Sequence, residues 1–126
     1  MAETDKRVAL ITGCGKENGI GAAIARRLSR DGFIVVVSDI AAAGVENDNR
    51  VERAATRWQG LDTLVADIEA AQGQAMGLTG DVSTEAGAAS LVGRTINAYG
   101  RLDVLVNNAG ALHGEDRNQI EQVPLS

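Results

Sequence analysis

The stretch Val8-Ala9-Leu10-Ile11-Thr12-Gly13-Cys14-Gly15-Lys16-Glu17-Asn18-Gly19-Ile20-Gly21 constrains the fold of this chain more than any other. An apolar run long enough for one buried strand stops at Thr12, a loop with four glycines follows, and a helical pattern starts directly after Gly21. Glycines let a backbone turn tightly and let a ligand approach where a Cβ would stand in the way. A helix starting beside them offers unpaired N–H groups and the positive end of its dipole, a combination suited to a diphosphate. Glycines also serve ordinary turns, so the surrounding chain has to decide.

Downstream, Ile20, Ile24 and Leu28 recur every fourth residue, with Arg26, Arg27 and Arg30 between or beyond them, which predicts an amphipathic helix stopping at Gly32. Phe33 to Ser38 reads as a second strand, β-branched and ending at Asp39. Strand, helix, strand over this distance is a βαβ unit with parallel neighbours. Residues 41–57 mix small and charged side chains and read as an insertion, either a solvated surface excursion or a flap over the adenosine end of a ligand. Leu61, Leu64, Val65 and Ile68 mark a second helix ending at Gly73, and Ala75 to Thr79 a third strand that Gly77 interrupts. After Gly80-Asp81-Val82, Ser83 is the expected cap of a third helix that buries Ala88, Leu91, Val92, Ile96 and Tyr99 and ends at Gly100. Leu102 to Val106 is a fourth strand, followed by Asn107-Asn108-Ala109-Gly110 and an irregular tail over 111–126. Four strands alternating with three helices predict an open α/β sheet covered on both faces.

The length of 126 residues suits one domain with its own core, and with aromatics at only 2% that core must be built from Val, Leu, Ile and Ala. A net charge of −5 argues against a nucleic-acid or anionic-membrane binder, whose affinity leans on a basic surface. A phosphate ligand would have to be held by local backbone dipoles. Cys14 is the single cysteine, so there is no disulfide framework and no zinc spacing, and no metal site is expected. No apolar run reaches the length of a signal-peptide core or a membrane span, which makes the cytoplasm the default compartment.

Ligands of open α/β sheets bind at the carboxyl ends of the strands, and Thr12, Asp39, Asp81 and Asn107 all fall there. Asp39 lies 18 residues past Gly21, where a carboxylate can accept from both hydroxyls of an adenine-side ribose and would repel a 2′-phosphate. This favours NAD over NADP. Lys16 is a solvated loop residue on one reading and a phosphate partner on the other.

Together, Thr12-Gly13, Gly15, Gly19-Ile20-Gly21, Asp39, Asp81-Val82 and Asn107-Asn108-Ala109-Gly110 resemble the N-terminal half of a short-chain dehydrogenase/reductase. The resemblance implies a Rossmann-like parallel sheet of order 3-2-1-4 within a single dinucleotide-binding domain. It also implies that Gly15, Asn18, Gly19, Ile20 and Gly21 cradle the pyrophosphate, Asp39 takes the ribose, and Asp81 and Val82 take the adenine. Asn108, Ala109 and Gly110 would pass the nicotinamide-side ribose, while Asn107 ties neighbouring strands together. Asp81 has an alternative reading as a helix-entry residue. The loop departs from the family's Thr-Gly-x-x-x-Gly-x-Gly: Gly13 stands six residues before Gly19, two more than usual. Taking Gly15 as the first glycine restores the spacing and puts Gly15, Gly19 and Gly21 ahead of Gly13 as phosphate contacts.

The family's chemistry uses a serine and a Tyr-x-x-x-Lys pair beyond the fourth strand. Here Tyr99 is the one tyrosine and precedes that strand, and Lys6 and Lys16 are the only lysines. No residue is therefore assigned to catalysis. His113 reads as a surface loop residue, and Cys14 as a packed small residue in preference to a nucleophile. Val123-Pro124-Leu125-Ser126 reads like a helix entry, so the chain is expected to be a fragment or truncated product. The complete enzyme would move a hydride between nicotinamide and an alcohol or ketone carbon, as a homo-oligomer. The alternative is a stand-alone module that binds or senses a dinucleotide without catalysis.

Overall fold

In the computed structural model, residues 5–41 and 59–109 are described. The expected insertion, apart from residue 41, lies outside them, as do Gly110, His113 and the tail. Val8–Ile11 (β1) and Ile34–Asp39 (β2) form the centre of the sheet, and from Val8 to Ile11 and from Ile34 to Ser38 every residue is buried. That two-sided burial is why both strands read as continuous apolar runs. β1 pairs in parallel with β2, Val8 opposite Ile34 through Ile11 opposite Val37. On its other side it pairs with β4 (Val104–Val106), Ala9 opposite Val104. β3 (Gln74–Thr79) lies outside β2, with Ile34 opposite Gln74. The order is β3-β2-β1-β4, as expected.

Ala9, Ile11, Val35 and Val37 face α1 (Ile20–Arg30) and α2 (Leu61–Ala70), where they pack with Ala22, Ala25, Leu64 and Ile68. Val8, Leu10, Ile34 and Val36 face the other way, toward Leu91 of α3 (Glu85–Tyr99). Each buried Val, Leu or Ile among these contributes about 1.5–3 kcal/mol on burial. The exposed Arg26–Asp67 pair between α1 and α2, at 3.6 Å, belongs to a class worth about 0–1 kcal/mol. The faces of the sheet hold the fold, and the surface ion pair adds little.

The helices differ in detail from the sequence reading. Ile20 is 71% exposed and does not join the apolar face of α1; Gly21, Ala22 and Ala25 are the buried residues, with Ile24 and Leu28 packed at their margin. Small side chains are what let this helix lie close on the sheet. Thr84, not Ser83, caps α3, its hydroxyl accepting from the Gly87 N–H at 3.0 Å. Ser83 is occupied by Asp81. Ile96, expected in the core, is 45% exposed, and Thr95 is buried in its stead, its hydroxyl donating to the Leu91 carbonyl at 2.8 Å.

Helix ends follow the expected glycines in two cases of three. At the end of α1 the Gly32 N–H donates to Ser29 O at 3.0 Å and the Phe33 N–H to Leu28 O at 3.0 Å, with Gly32 left-handed at φ +97°. Gly100, at φ +80°, ends α3. At the end of α2 the left-handed position is held by Gln72, φ +73°, and Gly73 follows it. Among the described residues no helix is long and apolar enough to cross a membrane, and no cluster of His, Cys, Asp and Glu could hold a metal ion.

Candidate functional site

The carboxyl ends of the four strands are cross-linked by backbone and side-chain hydrogen bonds. Thr12 N–H donates to Val106 O at 3.1 Å, Cys14 N–H to Ser38 O at 2.9 Å, and Gly80 N–H to Asp39 O at 3.1 Å. The Thr12 hydroxyl oxygen accepts from both Asn108 N–H and Ala109 N–H at 3.0 Å and donates to Val106 O at 3.4 Å. The Asn108 side-chain amide donates to Gly13 O at 3.2 Å. It is thus Asn108 that ties the turn after β4 to the loop after β1, a role the sequence reading gave to Asn107, which is exposed. Thr12 was legible only as a strand end. A hydroxyl at the point where two strands finish side by side was the available signal.

In the loop after β1, Gly13 and Gly21 are required by close approach. Gly13 has φ +74° and a Cβ there would stand 2.9 Å from the Ala109 Cα. A Cβ on Gly21 would stand 2.7 Å from both the Asn108 side-chain nitrogen and Gly13 O. Gly21 therefore serves helix-to-loop packing, and the turn out of β1 is made at Gly13.

Beyond Cys14, Asp39 holds the loop at Gly15. One carboxylate oxygen, Oδ2, accepts from Gly15 N–H at 2.7 Å, and the other, Oδ1, from Ile40 N–H at 2.7 Å. Cys14 lies buried between, its thiol donating to Ile11 O at 3.3 Å, and burial pushes that thiol up to about 12. It is a packing residue. Gly19 is the N-cap of α1 in an extended conformation, and no side chain caps the helix. Its own N–H donates to Lys16 O at 3.2 Å. The first N–H groups of α1 have no intrahelical partner, and they carry the positive end of the dipole. Lys16, Glu17, Asn18 and Ile20 are exposed around this opening.

After β3, Asp81 Oδ1 accepts from Ser83 N–H at 2.9 Å and from the Ser83 hydroxyl at 2.6 Å, which holds its carboxyl below the usual carboxylate range. Asp81 thus has a helix-entry role. Val82 beside it is 41% exposed, an apolar surface next to the strand end that carries Asp39. Thr12, Gly13, Asn108 and Ala109 form one hydrogen-bonded group and Gly15 and Asp39 a second, joined along the chain by Cys14, with Asn18, Gly19 and Ile20 at the lip and Asp81 and Val82 reached through Gly80. Tyr99 is outside it, half-buried at the far end of α3; burial first, and then Glu69, raise its phenol.

The family model for short chain dehydrogenase matches residues 7–124. An uncharacterized oxidoreductase of Methylorubrum extorquens is 40% identical over 110 residues, which is 87% of this chain and 38% of the relative. Among solved structures, a metagenomic short-chain oxidoreductase in complex with NADP superposes with a TM-score of 0.65 at 35% identity, covering 83% of this chain and 39% of that one. A variant of actinorhodin polyketide ketoreductase with NADPH gives a TM-score of 0.66 at 34% identity, covering 97% of this chain and 41% of that one. The chain thus spans about two fifths of the length of these proteins. With the matched family model, the 3-2-1-4 sheet and the glycine loop in agreement, the chain belongs to the short-chain dehydrogenase/reductase family.

Proposed function

We propose that this chain is the nicotinamide-dinucleotide-binding part of an oxidoreductase, and that it prefers NAD. The observation that carries the reading is the Asp39 carboxylate at the end of β2, beside a glycine loop and a helix N-terminus that no side chain caps. The residues present fit such a cofactor. Free amides at the start of α1, with Gly15, Asn18, Gly19, Ile20 and Gly21 around them and Gly13 at the loop entry, would take the pyrophosphate. Asp39 would accept from the adenine-side ribose, Asp81 and Val82 would flank the adenine, and Asn108, Ala109 and Gly110 would line the nicotinamide-side ribose.

When bound, the cofactor supplies the hydride chemistry, between nicotinamide and an alcohol or ketone carbon in the complete enzyme. The residues of this chain bind and orient it. With one tyrosine on α3 and no lysine after Lys16, they offer no proton shuttle of the family's kind. The stand-alone sensing module is not favoured, because the relatives are oxidoreductases more than twice as long. A cytoplasmic location fits the single buried thiol.

Titration with NADH and NADPH, followed by cofactor fluorescence, tests the reading. NADH is expected to bind at least about tenfold tighter, since a 2′-phosphate would meet the Asp39 carboxylate at close range. Equal affinities would remove the NAD preference, and no binding of either would remove the site. The 126 residues alone are expected not to turn over any alcohol. Dehydrogenase activity of the purified chain that disappears in Asp39→Ala would overturn that.

A further inference from the structure

The proposed specificity residue has a second engagement. Both Asp39 oxygens already accept a backbone N–H at 2.7 Å, one from Gly15 in the glycine loop and one from Ile40 in its own chain neighbour. The loop is longer than the family pattern by two residues, and its fixed points can be followed in order. Gly13 is held by Asn108, Cys14 by the Ser38 carbonyl, Gly15 by Asp39, and Gly19 by the Lys16 carbonyl. Past Cys14, the Asp39 side chain ties the loop to the end of β2 through the Gly15 N–H.

We infer that Asp39 is the anchor of the lengthened glycine loop, so that exclusion of a 2′-phosphate and positioning of the pyrophosphate amides reside in one side chain and cannot be separated by deleting it. This rests on the dinucleotide reading above. An ionised acceptor makes the stronger kind of hydrogen bond to a backbone N–H. A carboxylate has about four acceptor positions. Gly15 and Ile40 take two, and two remain for the ribose diol, so cofactor binding does not require release of the loop. Asparagine removes the charge and keeps a carbonyl oxygen for Gly15. Alanine removes both. Opening the pocket to NADP by truncating Asp39 would therefore also loosen the loop that must hold the pyrophosphate.

The test compares Asp39→Asn with Asp39→Ala in the full chain by amide hydrogen exchange and by binding of inorganic pyrophosphate, a probe with no ribose for Asp39 to contact. Charge loss is common to both variants, so a difference between them reads the anchor. Gly15 N–H is expected to exchange at least about tenfold faster than wild type in the alanine variant, which loses the charge-assisted bond, and at least about threefold more slowly in the asparagine variant than in the alanine variant, because asparagine keeps a neutral acceptor. Pyrophosphate is expected to bind the asparagine variant at least about threefold tighter than the alanine variant. Identical behaviour of the two variants in both measurements overturns the proposal. Should the alanine variant not fold, wild type decides: Gly15 must be protected while the exposed neighbour Lys16 exchanges freely, and a freely exchanging Gly15 rejects the anchor. Failure of wild type to bind NADH would reject the dinucleotide reading and leave the exchange result standing on its own.

Discussion

Cys14 shows how two effects compete at one residue. It sits in a loop that leads into the N-terminus of α1, a setting that lowers a thiol pKa when the sulfur is accessible. Here the side chain is fully buried, and burial raises the thiol to about 12, with the nearby Asp39 charge acting in the same direction. Burial wins, so nucleophilic chemistry is closed to it. The unfolded chain has an ordinary thiol, near 8.5. Above that pH the unfolded state loses the proton first, and folding becomes less favourable as pH rises toward the folded value. Between about pH 8.5 and 10 the chain is expected to lose stability at up to about 1.4 kcal/mol per pH unit more steeply than Cys14→Ala. Urea denaturation of both proteins at pH 7.5, 9 and 10 measures this, and parallel curves would refute it. Gly21 carries a related lesson. The sequence marks it as a glycine beside a phosphate site, and the structure adds a packing reason, since a Cβ there would stand 2.7 Å from the Asn108 side-chain nitrogen.

At the level of elements, all seven predicted segments form, and apart from the exchange of Ile96 for Thr95 in the core face of α3 the differences sit at their ends. α1 and α2 finish with the same pair of hydrogen bonds, yet only the first announces itself. After α1 the left-handed position is Gly32; after α2 it is Gln72, while Gly73 closes the motif by donating to Ile68 O at 2.9 Å. Gly73 was legible as a glycine, but its reason is contact: a Cβ there would collide with the Ser29 hydroxyl and stand 2.7 Å from Ile68 Cγ2. A glycine one place from the turn misdirects any reading by composition. It follows that Gln72→Gly relieves a left-handed glutamine. The variant is expected to be more stable by about 0.5–1 kcal/mol, after allowing for the added freedom of its unfolded chain. A midpoint shift in urea with unchanged slope would show it; a lower midpoint would mean that Gln72 makes up its strain elsewhere. The start of α3 was misread for a different reason. Ser83 and Thr84 are both good caps by type, and only the capture of Ser83 by Asp81 leaves the role to Thr84.

For the molecule as a whole, the central strands and their order were readable because they are buried on both faces. The margins were not, because their register depends on contacts far apart in sequence. β4 is the clearest case, with three residues instead of the predicted five. So short a strand is held by clamps at both ends. At the carboxyl end, Thr12 gathers the amides of Asn108 and Ala109. At the amino end, Asp103 N–H donates to Val8 O at 2.9 Å, and Asp103 Oδ2 accepts from Val8 N–H at 2.8 Å. Arg101 completes that clamp, its Nε 2.8 Å from Oδ2 and its Nη2 2.7 Å from Oδ1. The Arg101 guanidinium first, and then the Val8 amide, hold the Asp103 carboxyl below its usual range. A carboxylate with a depressed folded pKa contributes stability that is complete above its unfolded value, about 3.9, and is lost as pH falls through the folded one. Acid should therefore release β4 from β1 at the end opposite the candidate site. Asp103→Asn keeps an acceptor for Val8 and cannot titrate. Its stability is expected to vary less with pH than that of wild type between about pH 4 and 2, with the residual slope due in part to Asp81, which is depressed by Ser83. Denaturant midpoints of the two proteins across that window decide the point: equal slopes would mean that the Asp103 clamp closes β4 by shape alone, with no contribution from its charge.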